Sequence, residues 1–127
     1  MEYVKSFRDL EAYKLARQIS LVIHESTKHF PKEETYSLID QIRRSSRSVG
    51  AQIAESWAKR SYEKHFISKL TDADGELQET EHWIETAHDC GYLTKDEVTR
   101  ILDDCSKLGK MLNSMMSKSS SFCNNSR

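Results

Sequence analysis

Two stretches of this chain match the spacing E-x-x-H: Glu79-Thr80-Glu81-His82 and Glu85-Thr86-Ala87-His88. Residues three apart share one face of a helix, so each stretch could offer a carboxylate and an imidazole to the same metal ion. Di-iron helical bundles work this way, but they draw one such motif from each of two helices and a glutamate from each of two more. Here both motifs fall on one predicted helix, and the register that buries Leu77 and Ile84 turns His82 outward. A solvated face is the better reading. His24, His29 and His65 add no ligand spacing.

Nucleophilic chemistry finds little more support. Cys90, Cys105 and Cys123 form no C-x-x-C pair, and their odd number cannot close into a disulfide framework. Cys105 falls on an apolar face and Cys123 in a polar terminal stretch, which suits inert, reduced thiols. No G-x-S-x-G, Walker A, dinucleotide-binding glycine fingerprint or H-E-x-x-H occurs. No catalytic residue, metal or cofactor is expected. The Met1–Ser6 start lacks the apolar core of a signal peptide, and no segment approaches the roughly eighteen apolar residues of a membrane span. The expectation is a cytoplasmic protein off the membrane.

Charge carries more information. The totals nearly cancel, with 19 Lys and Arg against 20 Asp and Glu, a net charge of -1. That balance excludes a cationic body that coats nucleic acid nonspecifically. The charges are nonetheless segregated: residues 41–71 hold seven cations against two carboxylates, and residues 72–104 hold eleven carboxylates against two cations. Three readings compete for the basic run. It could be a solvated face with local ion pairs, one half of a head-to-tail contact between copies, or a phosphate-binding surface built on Arg43, Arg44, Arg47, Lys59 and Arg60. Taken alone, they rank in that order. Glu55, set among Ile53, Ala54 and Trp57, reads as a carboxylate that pairs with a neighbouring Arg or caps a nearby helix end, with a catalytic role the lesser alternative.

The elements that must position these residues are helical. A chain of 127 residues makes one compact domain, and one Pro and four Gly are too few for the turns of an all-β fold. Phe7, Leu10, Tyr13, Ala16, Ile19 and Val22/Ile23 give a first helix capped by Ser6, running to about His29 before Phe30-Pro31. A second helix spans about 34–59 on Leu38/Ile39, Ile42, Val49, Ile53 and Trp57. Its run of small residues, with Gly50 among them, marks either a close crossing or a local irregularity. Ser61 is the expected cap of a third helix, which Gly91 ends, and Thr94-Lys95-Asp96-Glu97 is a capping box opening a fourth. Four such helices with short links predict an all-α, antiparallel up-down-up-down four-helix bundle over 1–116 and a flexible polar tail over 117–127. The methionines Met111, Met115 and Met116 read as core filling.

Phe7-Arg8-Asp9-Leu10, Phe30-Pro31 with Glu33-Glu34 and Tyr36, Gln41-Ile42-Arg43-Arg44, Ile53-Ala54-Glu55, Arg60, Gly91-Tyr92-Leu93 and Gly109-Lys110-Met111-Leu112-Asn113 occur in this order. Together they resemble the bacterial ribosomal RNA intervening-sequence protein family, over about 7–115. Where Pro-Ser-Asn-Ile-Ala-Glu-Gly is common in that family, this chain has Gly50-Ala51-Gln52-Ile53-Ala54-Glu55-Ser56. The resemblance implies a four-helix bundle and a homopentameric ring. Similar accessory proteins of diversity-generating retroelements bind nucleic acid and a reverse transcriptase, which makes Arg43, Arg44 and Arg60 candidates for a nucleic-acid face and Glu55 and nearby Trp57 candidates for a structural or intersubunit contact. Together with the residues themselves, it predicts a non-enzymatic, self-assembling scaffold with RNA affinity. The alternatives are a protein-partner adaptor or, third, a metal-dependent enzyme.

Overall fold

A computed structural model of the chain describes residues 4–123, and among these all regular structure is helical. The four long helices are α1 (Glu11–Thr27), α2 (Leu38–Ala58), α3 (Glu63–Asp89) and α4 (Lys95–Ser117), followed by a single turn, α5 (Ser119–Phe122). They form a helical bundle in which each long helix touches its sequence neighbours and α4 closes back on α1. The periodic apolar positions meet inside: Ile23, Ile42, Ile53, Phe66, Leu70, Leu77, Ile84, Leu108 and Leu112 are almost completely buried. Each such side chain withdrawn from water contributes about 1.5–3 kcal/mol before chain entropy is set against it.

The helix ends depart from the sequence expectation in instructive ways. Ser6 caps as predicted, with Asp9 completing a capping box, but it caps a short 3-10 turn, Phe7–Asp9, and α1 starts only after Leu10. The second helix starts at Leu38 instead of residue 34. A 3-10 turn, Lys32–Glu34, comes first, and the Glu34 carboxylate accepts from the Ser37 hydroxyl at 2.6 Å and the Leu38 N–H at 3.4 Å. The acidic group serves the helix N-terminus from outside it. At α3 the N-cap is Tyr62, with no side-chain cap bond, so Ser61 does not have the predicted role.

Other punctuation is as expected. Gly91 has φ of +81°, and N–H groups of Gly91 and Tyr92 return to the carbonyls of His88 and Ala87, each at 2.9 Å. That pattern is a Schellman motif. Thr94 and Glu97 make the reciprocal bonds of their capping box.

A polar contact and a close helix crossing sit within the core. Thr80, at a gap in the apolar pattern of α3, is fully buried and its hydroxyl lies 2.9 Å from both Ser45 Oγ and the Glu76 carbonyl. α2 runs unbroken through Gly50, whose missing Cβ would lie 3.7 Å from the Tyr13 ring and 3.8 Å from Ala16. α1 and α2 therefore cross closely there without requiring glycine. Finally, part of the expected polar tail is ordered: Phe122 stacks on Phe66 with centroids 5.7 Å apart, and the Ser119 hydroxyl bonds Glu63. Phe122 provides the apolar anchor that composition alone obscures. Residues 124–127 lie outside the described residues.

Candidate functional site

The five basic residues singled out from sequence do not share one surface role. Arg43 reaches across to α1, where its Nε donates to Thr27 Oγ1 at 2.7 Å and its Nη2 to the His24 carbonyl at 3.3 Å. It thereby satisfies the C-terminal turn of α1, where a cation also complements the helix dipole. Arg44 bridges α2 to α3 through Glu76, at 3.3 Å, and Glu79. Those carboxylates, first among them Glu79, hold the guanidinium further toward its charged form, and bonds from Trp83 and Arg44 hold Glu79 below the usual carboxylate range. Arg47 lies 3.2 Å from His24 Nδ1.

Lys59 and Arg60 stand apart from these three, in the turn between α2 and α3. Arg60 folds back so that its guanidinium lies 3.6 Å from the centre of the Trp57 ring, while its Nε donates to the Trp57 carbonyl at 2.8 Å. Lys59 is exposed, with no side-chain partner among the described residues. Two residues on, Tyr62 is 65% exposed, and its ring lies 5.5 Å from that of His65. Tyr62 is missing from the sequence reading, which counts Lys64 only within the basic run and weighs His65 only as a metal ligand, although a basic run interleaved with aromatics was the available signal.

Glu55 is exposed and its Oε1 pairs with Lys69 Nζ at 2.9 Å, an intramolecular tie between α2 and α3. Trp57 is half-buried beneath Arg60. Of the E-x-x-H residues, Glu79 is engaged by Arg44 and by Trp83, while His82 and His88 face solvent. No three His, Cys, Asp or Glu side chains gather in a metal-holding arrangement among the described residues. Cys105 is buried, and desolvation pushes its thiol up to about 12. That removes it as a thiolate nucleophile at neutral pH.

A second feature lies on the flank of the bundle. Between α1 and α2 runs a groove of about 340 Å³, floored by Ala16, Gly50 and Ala54 and edged by Arg17, Leu21 and Arg47. Leu21 is 57% exposed and Val22 beside it 41%. Sequence periodicity assigned Val22 to the buried stripe with Ile23, yet only Ile23 is inside. Val22 instead borders a second cleft, between α1 and α4, with Glu97, Arg100 and Asp104 at its margin. The signal was an apolar pair at positions where a 3.6-residue period leaves room for only part of it.

No described helix is long and apolar enough to cross a membrane. No curated protein matches the chain. Among solved structures, it is similar to a crystal structure at 1.70 Å from Bacteroides thetaiotaomicron, described as a protein with unknown function from the S23 ribosomal protein family. The two are 27% identical, the match covers 84% of this chain and 95% of that one, and the TM-score is 0.74. The model of the family described as 23S rRNA-intervening sequence protein matches residues 8–114, which takes in all of α1, α2 and α3 and nearly all of α4. On that match, spanning most of its length and, apart from Phe7, every residue of the motifs that suggested it, the chain belongs to the 23S rRNA-intervening sequence protein family.

Proposed function

We propose that this protein is a non-enzymatic scaffold that assembles from copies of itself, with the homopentameric ring implied by the family resemblance as the assembly. The observation that carries the reading is the flank of α1. Leu21 and Val22 lie exposed between a groove edged by Arg17 and Arg47 and a cleft edged by Glu97, Arg100 and Asp104. A second copy that presents its Glu97 and Asp104 to Arg17 and Arg47 would cover the apolar pair and pair those charges. Contacts between two different surfaces close into rings when the rotation permits.

The bundle is read as antiparallel, up-down-up-down. In support, the contacts between α2 and α3 run from Arg44–Glu79 and Ser45–Thr80 to Glu55–Lys69, numbers rising on one helix as they fall on the other. Leu77 against Gly109 and Thr71 against Met116 give the same sense for α3 and α4.

Multi-angle light scattering at micromolar concentration tests the assembly. The expected result is an oligomer that Leu21→Glu reduces to monomer while helicity is kept. A strictly monomeric wild-type chain would sink the proposal, and a monomer that co-purifies with a different protein would replace it by an adaptor.

A further inference from the structure

We propose that the end of the bundle formed by the α2–α3 turn is a binding site for single-stranded nucleic acid, with Tyr62 as the stacking platform and Lys59 and Lys64 as the phosphate contacts. The turn is tight: the Tyr62 N–H bonds the Lys59 carbonyl at 3.0 Å, so both side chains project from a fixed backbone. Tyr62, 65% exposed, stands beside His65 one turn along α3, the two rings tilted at 42° with centroids 5.5 Å apart, which leaves the Tyr62 face open to solvent. Lys59 and Lys64 are exposed on either side of it in the chain.

The surroundings reinforce the positive potential. Arg60 already lies over one ring, Trp57, and Arg8 lies 4.5 Å from the centre of another, Phe7. Phe7 belongs to this half of the molecule, since it borders the α1–α2 groove together with Ala54 on the last turn but one of α2. α3 also begins without a side-chain cap, so its N-terminal dipole adds to the field. Of the neighbouring carboxylates, Glu55 is paired with Lys69, while Glu63 turns to the Ser119 hydroxyl and keeps its charge.

Cations that track a backbone and aromatic rings that accept base faces are the two requirements of single-strand binding. A duplex hides the base faces that Tyr62 would take. A lipid surface fits less well, because the exposed aliphatic side chains, Leu21 and Val22, lie on α1 and not at this end. The site is complete within one copy and so stands or falls separately from self-assembly.

The test is fluorescence anisotropy with a labelled twelve-nucleotide oligouridylate, using the full chain at low and raised salt. Binding should weaken as salt rises, and Lys59→Ala and Lys64→Ala should each lower both the affinity and the salt slope. Tyr62→Ala should cost about tenfold in affinity, whereas Tyr62→Phe, which keeps the ring, should bind like wild type. Circular dichroism of each variant checks that the helices persist. No binding at low salt would overturn the proposal. So would a Tyr62→Ala variant that binds like wild type, equal affinity for a duplex of the same length, or displacement of the RNA by phosphatidylserine vesicles.

Discussion

The Tyr92 hydroxyl donates to the Glu34 carboxylate at 2.9 Å, joining the segment that leads into α2 to the one that leads into α4. The same carboxylate takes the Ser37 hydroxyl and the Leu38 N–H, and the Tyr92 ring tilts against Phe30 with centroids 5.3 Å apart. One acidic side chain thus caps a helix and fastens two loops. The bonds from Ser37 and then Tyr92 hold Glu34 below the usual carboxylate range, and the Glu34 bond pushes Tyr92 up to about 12.

Opposite pH arms follow from that pair. For Glu34, whose folded value is depressed, the stabilisation is present above the unfolded carboxylate value and is lost as pH falls through the folded one. For Tyr92, whose folded value is raised, it is present below the unfolded value of 10.0 and is lost as pH rises toward about 12. Urea midpoints measured across pH should fall at both extremes. In Tyr92→Phe the share of the alkaline fall that belongs to this bond should vanish, and an unchanged alkaline profile would count against the bond.

Glycine substitutions should separate by position. Gly75 lies within α3 with nothing within 4 Å of a built Cβ, so Gly75→Ala should stabilise by about 1 kcal/mol. Gly50→Ala should behave similarly, since its new methyl meets Tyr13 and Ala16 at ordinary contact distance. Gly91→Ala should destabilise by about 1 kcal/mol, because φ of +81° is left-handed backbone. Urea denaturation of the three variants reads all three signs.

Arg43 should matter for stability rather than for ligands. Arg43→Ala removes two charge-assisted bonds to the last turn of α1 and should cost about 1.5–3 kcal/mol. Arg43→Lys should recover only part of this, since an ammonium cannot reproduce the guanidinium fork. RNA affinity of the folded variants, measured beside their urea curves, should stay at the wild-type value.

The buried hydroxyl pair gives a coupled prediction. Thr80→Val removes the donor to Ser45 and should cost about 1 kcal/mol, but adding Ser45→Ala should cost less than the sum of the two single changes. A double-mutant cycle with no coupling would show that the 2.9 Å contact contributes nothing of its own.

Much of the fold was legible from periodicity and capping. The apolar stripes of all four helices, the Gly91 stop and the Thr94–Glu97 box are local features, written within a few residues of where they act. What escaped was non-local. Glu34 looked like the first residue of a helix because nothing nearby reveals that Ser37, Leu38 and the distant Tyr92 converge on its carboxylate. The basic run looked continuous in sequence, yet a helix distributes successive residues around its axis. Arg43 turned toward α1, Arg44 toward α3, and only Lys59 and Arg60 reached the end turn. Phe122 was hidden by the serines around it until Phe66 was in place to receive it.

Val4 borders the same cleft as Met111 and Met115, so the stretch entering α1 lies beside the last turns of α4. The segment before α1 and the end of α4 are therefore close enough for a short link to join them. A chain covalently joined across that cleft and reopened between Gly91 and Thr94 would keep its four long helices while moving its free ends away from that cleft, at the expense of the Tyr92 and Leu93 contacts in the opened link. Such a permuted protein would carry a fused reporter far from the Tyr62 turn, leaving that turn unobstructed.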